Sequence, residues 1–139
     1  MINIILMAHG RLASAMLKTA KDISGLDTRG VRVFSTSYKC DCSSMGKKVE
    51  KIFEKSKGRG VLVLADMFGG SACNVPLAAA RGREDVGVIS GLNLSMLLAA
   101  LQHRRDMDIR TLTKKIEAEG LRSIINASEV MSGRGFTCR

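Results

Sequence analysis

Apolar positions along this chain change period repeatedly. Ile2 to Ala8 is a short, nearly continuous apolar run, and Leu12, Ala13, Met16, Leu17 and Ala20 then recur at three- and four-residue spacing. The first pattern suits a strand buried on both faces and the second an amphipathic helix over Leu12 to Ile23. After a break at Ser24-Gly25-Leu26-Asp27 the alternation resumes with a second strand near Val31 to Ser35. Ser43 or Ser44 is placed to cap a helix running to about Lys57, which Gly58-Arg59-Gly60 ends. Val61 to Ala65, β-branched and bounded by Gly60 and Asp66, is the clearest strand. Ala72 to Ala80 reads as a helix in which Pro76 is tolerable only in the first turn. Val86 to Ser90 is a fourth strand, and Leu94 to Leu101 a helix. Leu112, Ile116 and Ala118 suit a helix to Gly120, and Ser123 to Val130 fits either a helix or an edge strand, of which the strand is preferred.

Strands alternating with helices predict a doubly wound α/β domain: a mainly parallel sheet of four parallel strands plus an edge strand, flanked by helices. A chain of 139 residues suffices for one core, assigned to 1–131, with a basic tail over 132–139. No apolar stretch approaches the ~18 residues of a membrane span, and Met1 to Ala8 is too short and lacks the basic leader of a signal peptide. A cytoplasmic protein is expected. The formal charge of +9 admits an acidic partner, nucleic acid or an anionic ligand. Aromatics at 4% and the absence of helix-turn-helix, zinc or RNP-like patterns argue against nucleic acid, so Lys47, Lys48, Lys51, Lys55, Lys57 and Arg59 read as a solvated helix face. Cys40, Cys42, Cys73 and Cys138 match no common zinc spacing and are expected to be reduced and unligated.

Three predicted strands end in polar or glycine residues: His9-Gly10, Asp66 followed by Phe68-Gly69-Gly70-Ser71, and Gly91-Leu92-Asn93. In a parallel sheet these ends share the edge where doubly wound folds bind ligands. His9, at the start of a helix whose positive pole favours the neutral ring, is the candidate nucleophile. A neutral imidazole attacks with one nitrogen only while the other holds the proton, and Asp66 is the candidate partner that fixes this tautomer. Gly69-Gly70-Ser71 offers backbone amides and a helix N-terminus to phosphate oxygens. The Walker pattern and G-x-G-x-x-G are both absent, so the expected phosphoryl donor is another protein rather than a nucleotide. A serine hydrolase would need a G-x-S-x-G elbow, which is also missing. His103, between Gln102 and Arg104-Arg105 on an expected surface, offers no metal cluster, and neither metal nor cofactor is expected.

Three blocks, Leu6-Met7-Ala8-His9-Gly10, Ala65 to Asn74, and Ser90 to Leu97, resemble the mannose-class enzyme IIA of the bacterial sugar phosphotransferase system, over Met1 to about Met131. The resemblance implies a phosphocarrier domain whose histidine takes a phosphoryl group from the phosphorylated histidine phosphocarrier protein. It then passes the group to a IIB protein or domain, and only indirectly serves the membrane permease. Carried over, His9 is phosphorylated, Asp66 orients it, and Phe68, Gly69, Gly70 and Ser71 surround the phosphate. The resemblance also implies a homodimer that exchanges an antiparallel edge strand, which makes Ser123 to Val130 that strand. Ser37 to Cys42 and the high positive charge depart from the family pattern. The same fold serves as the leading domain of the phosphotransfer subunit of dihydroxyacetone kinase and in phosphorylation-dependent regulators, so these roles stay open. A non-catalytic basic binding module is the alternative of another class.

Overall fold

The computed structural model describes residues 1–37 and 41–133. Among these, the elements in chain order are β1 (Asn3–His9), α1 (Leu12–Ser24), β2 (Val31–Thr36), α2 (Cys42–Lys55), β3 (Val61–Ala65), α3 (Ser71–Ala79), β4 (Val86–Ser90), α4 (Leu94–His103), α5 (Ile109–Arg122) and α6 (Ala127–Gly133). The strands form one sheet in the order β2-β1-β3-β4, with every neighbouring pair parallel. The α/β architecture predicted from the alternating pattern is therefore present.

The two central strands are apolar on both sides because helices cover both sheet faces. On one face Ile4, Leu6 and Ala8 of β1 and Leu62 and Leu64 of β3 pack against Ala13 and Ala20 of α1, Leu97 and Ala100 of α4, and Leu112 and Ile116 of α5. On the other, Ile5, Met7, Val61 and Val63 pack against Val49 and Phe53 of α2 and Ala72 and Val75 of α3. His9 continues the alternation of Ile5 and Met7, so its side chain emerges on the α2/α3 face, beyond the last buried apolar layer. Gly87 is a point of close approach: a Cβ there would lie 2.1 Å from the Thr113 hydroxyl of α5.

Several local expectations are corrected. Among the described residues there is no fifth strand: Ser123 to Asn126 link α5 to α6, Ala127 to Val130 are the first residues of α6, and the amides of Glu129 and Val130 bond to the Asn126 carbonyl instead of a sheet ladder. The adjacent Ile124 and Ile125 are both exposed, so the segment lacks the one-sided burial that would hold a strand against β4. The cap of α2 is Asp41, whose carboxylate accepts the amides of Ser43 and Ser44, the residues expected to do the capping. Because α3 starts at Ser71, Pro76 falls in its second turn, and the helix ends three residues later at Ala79. Arg104 is no surface residue: it is 1% exposed, and its guanidinium donates to the carbonyls of Arg29 and Asp27, fastening the loop before β2 at the amino end of the sheet. The expected tail over 132–139 begins inside α6, and 134–139 lie outside the described residues, as does Cys40.

Candidate functional site

Parallel pairing of β1 with β3 brings the carboxyl ends of these strands together, with Met7 opposite Ala65 and Asp66 one residue beyond. The Asp66 amide extends the ladder by bonding to the Met7 carbonyl, which aims its carboxylate at the following residues of β1. Asp66 Oδ2 accepts the His9 backbone amide at 2.7 Å and meets the ring Nδ1 at 2.8 Å. Its Oδ1 accepts the Met67 amide at 2.8 Å. A carboxylate held by three donors is fixed in position and charge. Burial alone would raise the Asp66 carboxyl, but hydrogen bonds from the His9 amide and ring, with the Met67 amide, bring it below the usual carboxylate range. Asp66 is thus ionised at neutral pH, and its carboxylate against Nδ1 favours the ring tautomer that carries its proton there.

The opposite ring edge is available. The His9 side chain is 45% exposed, whereas that of Asp66 is 11% exposed. A Cβ on Gly70 would stand 3.1 Å from His9 Cε1 and 3.7 Å from Nε2, so the free nitrogen faces the first residues of α3. Gly70 is the N-cap of α3 and supplies no side-chain cap. The amides that open a helix have no intrahelical acceptor, and Gly70, the residue that leads into them, lies against the His9 ring. Gly69 turns the chain into this helix with φ 83°, a left-handed conformation for which glycine is the natural residue, and its carbonyl accepts the Asn74 side-chain amide.

The start of α1 has the same character. Gly10 turns away from β1 with φ 57°, its amide bonding to the Thr36 carbonyl and its carbonyl accepting the Ser35 hydroxyl. The N-cap is Arg11, again with no side-chain cap. By contrast α2, α4 and α5 begin at Asp41, Asn93 and Asp108, whose side chains accept amides of their own first turns. The two helix starts that flank His9 are left open while three others are closed.

Of the residues singled out in the sequence, His9, Asp66 and Gly70 come together, and Ser71 follows Gly70 as the first residue of α3. Phe68 lies on the same loop and is 77% exposed, turned outward as a rim. His103 ends α4 next to Arg104, at the opposite end of the sheet from His9. Burial pushes the Cys73 thiol up, so this side chain on α3 is a protonated core group. The basic residues of α2 are exposed. Among the described residues no group of three or more His, Cys, Asp or Glu side chains is arranged to hold a metal ion. Sequence reasoning missed the roles of Ser35, Thr36 and Met67, which hold the Gly10 turn and the Asp66 carboxylate. A pair of hydroxyl residues ending β2 was the only available sign.

No helix is long and apolar enough to cross a membrane among the described residues. A search of curated proteins found no match. Solved structures do match: the phosphotransferase system component EIIA from Streptococcus agalactiae superposes with a TM-score of 0.83 at 27% identity, covering 93% of this chain and 99% of that one. The mannose/sorbose specific IIA subunit of the phosphotransferase system from Enterococcus faecalis gives 0.77 at 26% identity, covering 90% and 93%. The PTS IIA protein associated with the fucose utilization operon from Streptococcus pneumoniae shares the fold, with a TM-score of 0.79 at 23% identity and coverage of 93% and 95%. The family model described as EIIA-man, PTS system fructose IIA component, matches residues 3–117, and the chain belongs to this family of sugar phosphotransfer components.

Proposed function

We propose that the protein carries a phosphoryl group on Nε2 of His9, received from a phosphohistidine on the histidine phosphocarrier protein and surrendered to a IIB protein or domain at the cytoplasmic side of sugar uptake. The supporting observation is the double hydrogen bond from His9 to Asp66 Oδ2, which leaves Nε2 as the ring's lone-pair nitrogen, facing the uncapped start of α3. In the forward step the Nε2 lone pair attacks phosphorus in line, the donor's N–P bond breaks, and the donor imidazole leaves with that electron pair. His9 keeps its Nδ1 proton, and the positive charge that spreads over the phosphorylated ring lies against the Asp66 carboxylate. The Ser71 end of α3 receives the phosphoryl oxygens, with Gly69 and Gly70 keeping the approach clear of side chains. The protein supplies positioning and charge stabilisation, the main requirements of phosphoryl transfer.

The proposal includes a homodimer. β4 is a sheet edge among the described residues, and beside it lies an open groove of about 470 Å³ lined in part by Phe68, Leu77, Leu121 and Ile124. An unpaired strand next to exposed apolar side chains favours closure by a second copy, read by sedimentation as twice the chain mass. The central test is labelling: incubation with phosphorylated carrier protein labels the wild type and leaves His9→Ala blank. Label retained in His9→Ala, or mapped to His103, overturns the assignment.

A further inference from the structure

We infer that Arg11 is part of the phosphoryl site, its guanidinium engaging the oxygens of the group carried by His9; this rests on the phosphocarrier reading above. Arg11 occupies the N-cap of α1, two residues after the nucleophile. Local structure argues against an arginine there. The N-cap position favours Asn, Asp, Ser or Thr, which accept the orphan amides, and a cation at the positive pole of a helix is repelled by the macrodipole. This chain follows that rule at α2, α4 and α5. At α1 it breaks the rule, and Arg11 provides no cap bond.

Nothing among the described residues compensates. Arg11 is exposed and enters no ion pair among the described residues, a state it shares with Arg32, Arg59 and Arg81, but of these four it alone stands two residues from His9 in the chain; Arg29, Arg83, Arg105, Arg110 and Arg122 each meet a carboxylate and Arg104 donates to two carbonyls. A residue that violates a local preference without structural gain belongs, as a rule, to function. The function is set by charge. Asp66 is an anion beside the His9 ring, and a phosphoryl group adds further negative charge a few bonds away, so the two repel. Two open helix starts offset part of this repulsion, and a planar guanidinium with paired donors matches phosphoryl oxygens better than any other side chain. Among the described residues Arg11 has no ion-pair partner in the unphosphorylated protein; phosphorylation supplies one.

The test uses phosphoramidate, a small donor that lacks a protein surface. Its P–N bond breaks, ammonia leaves, and the Nε2–P bond forms. His9 labelling is followed by mass spectrometry for the full-length wild type, Arg11→Asn, Arg11→Ala and Arg11→Lys, together with the lifetime of the phosphohistidine and the melting temperature. Labelling of Arg11→Ala and Arg11→Asn is expected to slow about tenfold or more, the range for loss of one charge-assisted contact. Arg11→Lys recovers part of the rate by restoring charge without the fork. Arg11→Asn restores a neutral cap, so its melting temperature rises by about 2–4 °C while its labelling falls. A purely structural role would move the two together. Equal labelling of wild type and Arg11→Asn overturns the inference, as does a defect seen with phosphorylated carrier protein and not with phosphoramidate, which would make Arg11 a docking residue. Failure of the wild type itself to label at His9 would instead sink the phosphocarrier reading.

Discussion

Replacing Asp66 by asparagine changes the site by one atom and tests the tautomer directly. Three N–H groups, from the His9 backbone, the His9 ring and Met67, converge on two carboxylate oxygens at 2.7–2.8 Å. A carboxylate accepts all three; an amide offers one oxygen and one donor group. With the amide oxygen in the place of Oδ2, both His9 bonds survive, the Met67 N–H loses its acceptor, and the tautomer is kept. With the NH2 group in that place, the His9 amide faces a donor and the ring must accept at Nδ1, which moves its proton to Nε2 and blocks the nucleophile.

The first arrangement strands one N–H group and the second strands another while inverting the ring, so asparagine is expected to settle mainly into the first. Its stability cost is about 1–3 kcal/mol for an unsatisfied group, or a fall in melting temperature of about 4–12 °C at this chain length. Its kinetic cost is the loss of negative charge against the phosphorylated ring. The difference between a charge-assisted and a neutral hydrogen bond is about 1–1.5 kcal/mol, or roughly tenfold in rate. If the inverted form dominates, the loss approaches the roughly 10⁴-fold seen when the equivalent change is made in a serine protease triad. Labelling by phosphorylated carrier protein therefore falls between about tenfold and 10⁴-fold, and nitrogen NMR of the ring reports which arrangement is present. Labelling at the wild-type rate, with the variant folded, would refute the role given to Asp66.

Four further outcomes follow from neighbouring geometry. Gly70→Ala places a methyl 3.1 Å from His9 Cε1 at a backbone φ of −84° that alanine tolerates, so labelling drops several-fold while the melting temperature changes little; unchanged labelling would detach Nε2 from the start of α3. Gly87→Ala drives a methyl into the Thr113 hydroxyl of α5 and is expected to cost about 1–3 kcal/mol in thermal unfolding, whereas Gly87→Ala combined with Thr113→Ala recovers most of it. Arg104→Met removes the donors of two loop carbonyls and destabilises by about 2–4 kcal/mol, read by urea midpoint, while labelling of the folded fraction persists. Asp66 is held below its unfolded value, so its stabilising contribution is complete above about pH 4 and fades as pH falls through the lower folded value. The melting-temperature gap between wild type and Asp66→Asn accordingly shrinks on acidification; a gap that widens contradicts the sign.

Residues with one dominant local cause were legible in the sequence. β3 is five apolar residues between Gly60 and Asp66, and all five are buried, as an unbroken run between helices requires. His9 and Asp66 were legible because strand ends in a parallel sheet converge whatever the loops do. The cap of α2 was misread because Asp41, Ser43 and Ser44 are all competent caps within four residues, and only the backbone path decides which oxygen meets which amide. Arg104 was misread for a deeper reason. Its neighbours His103 and Arg105 suggest a surface, and its burial depends on carbonyls of Asp27 and Arg29 some 75 positions away, which no local pattern encodes. Ser123 to Val130 carries apolar residues side by side at Ile124 and Ile125, a pattern that does not decide between helix and strand, and the helix that forms there takes in only the stretch from Ala127 onward.

The two ends of the sheet divide the labour in a way that explains this contrast. At the amino end Arg104 takes up two carbonyls of the loop before β2, and the Ile2 amide bonds to the Arg104 carbonyl, although the buried Arg104 Nε itself has no partner among the described residues. At the carboxyl end the chain leaves groups open, with uncapped starts at α1 and α3, left-handed glycines at Gly10 and Gly69, and a half-exposed ring between them. Each open group carries a small local cost in stability, tolerable because both helices are anchored elsewhere by Ala13, Ala20, Ala72 and Val75 in the two cores. A phosphoryl group on Nε2 would turn those open donors into partners, so phosphorylation is expected to tighten the end of the fold that is least satisfied without it. Slower amide exchange at Ser71, Ala72 and Leu12 in the phosphorylated form, with exchange in β3 unchanged, is the signature of that arrangement.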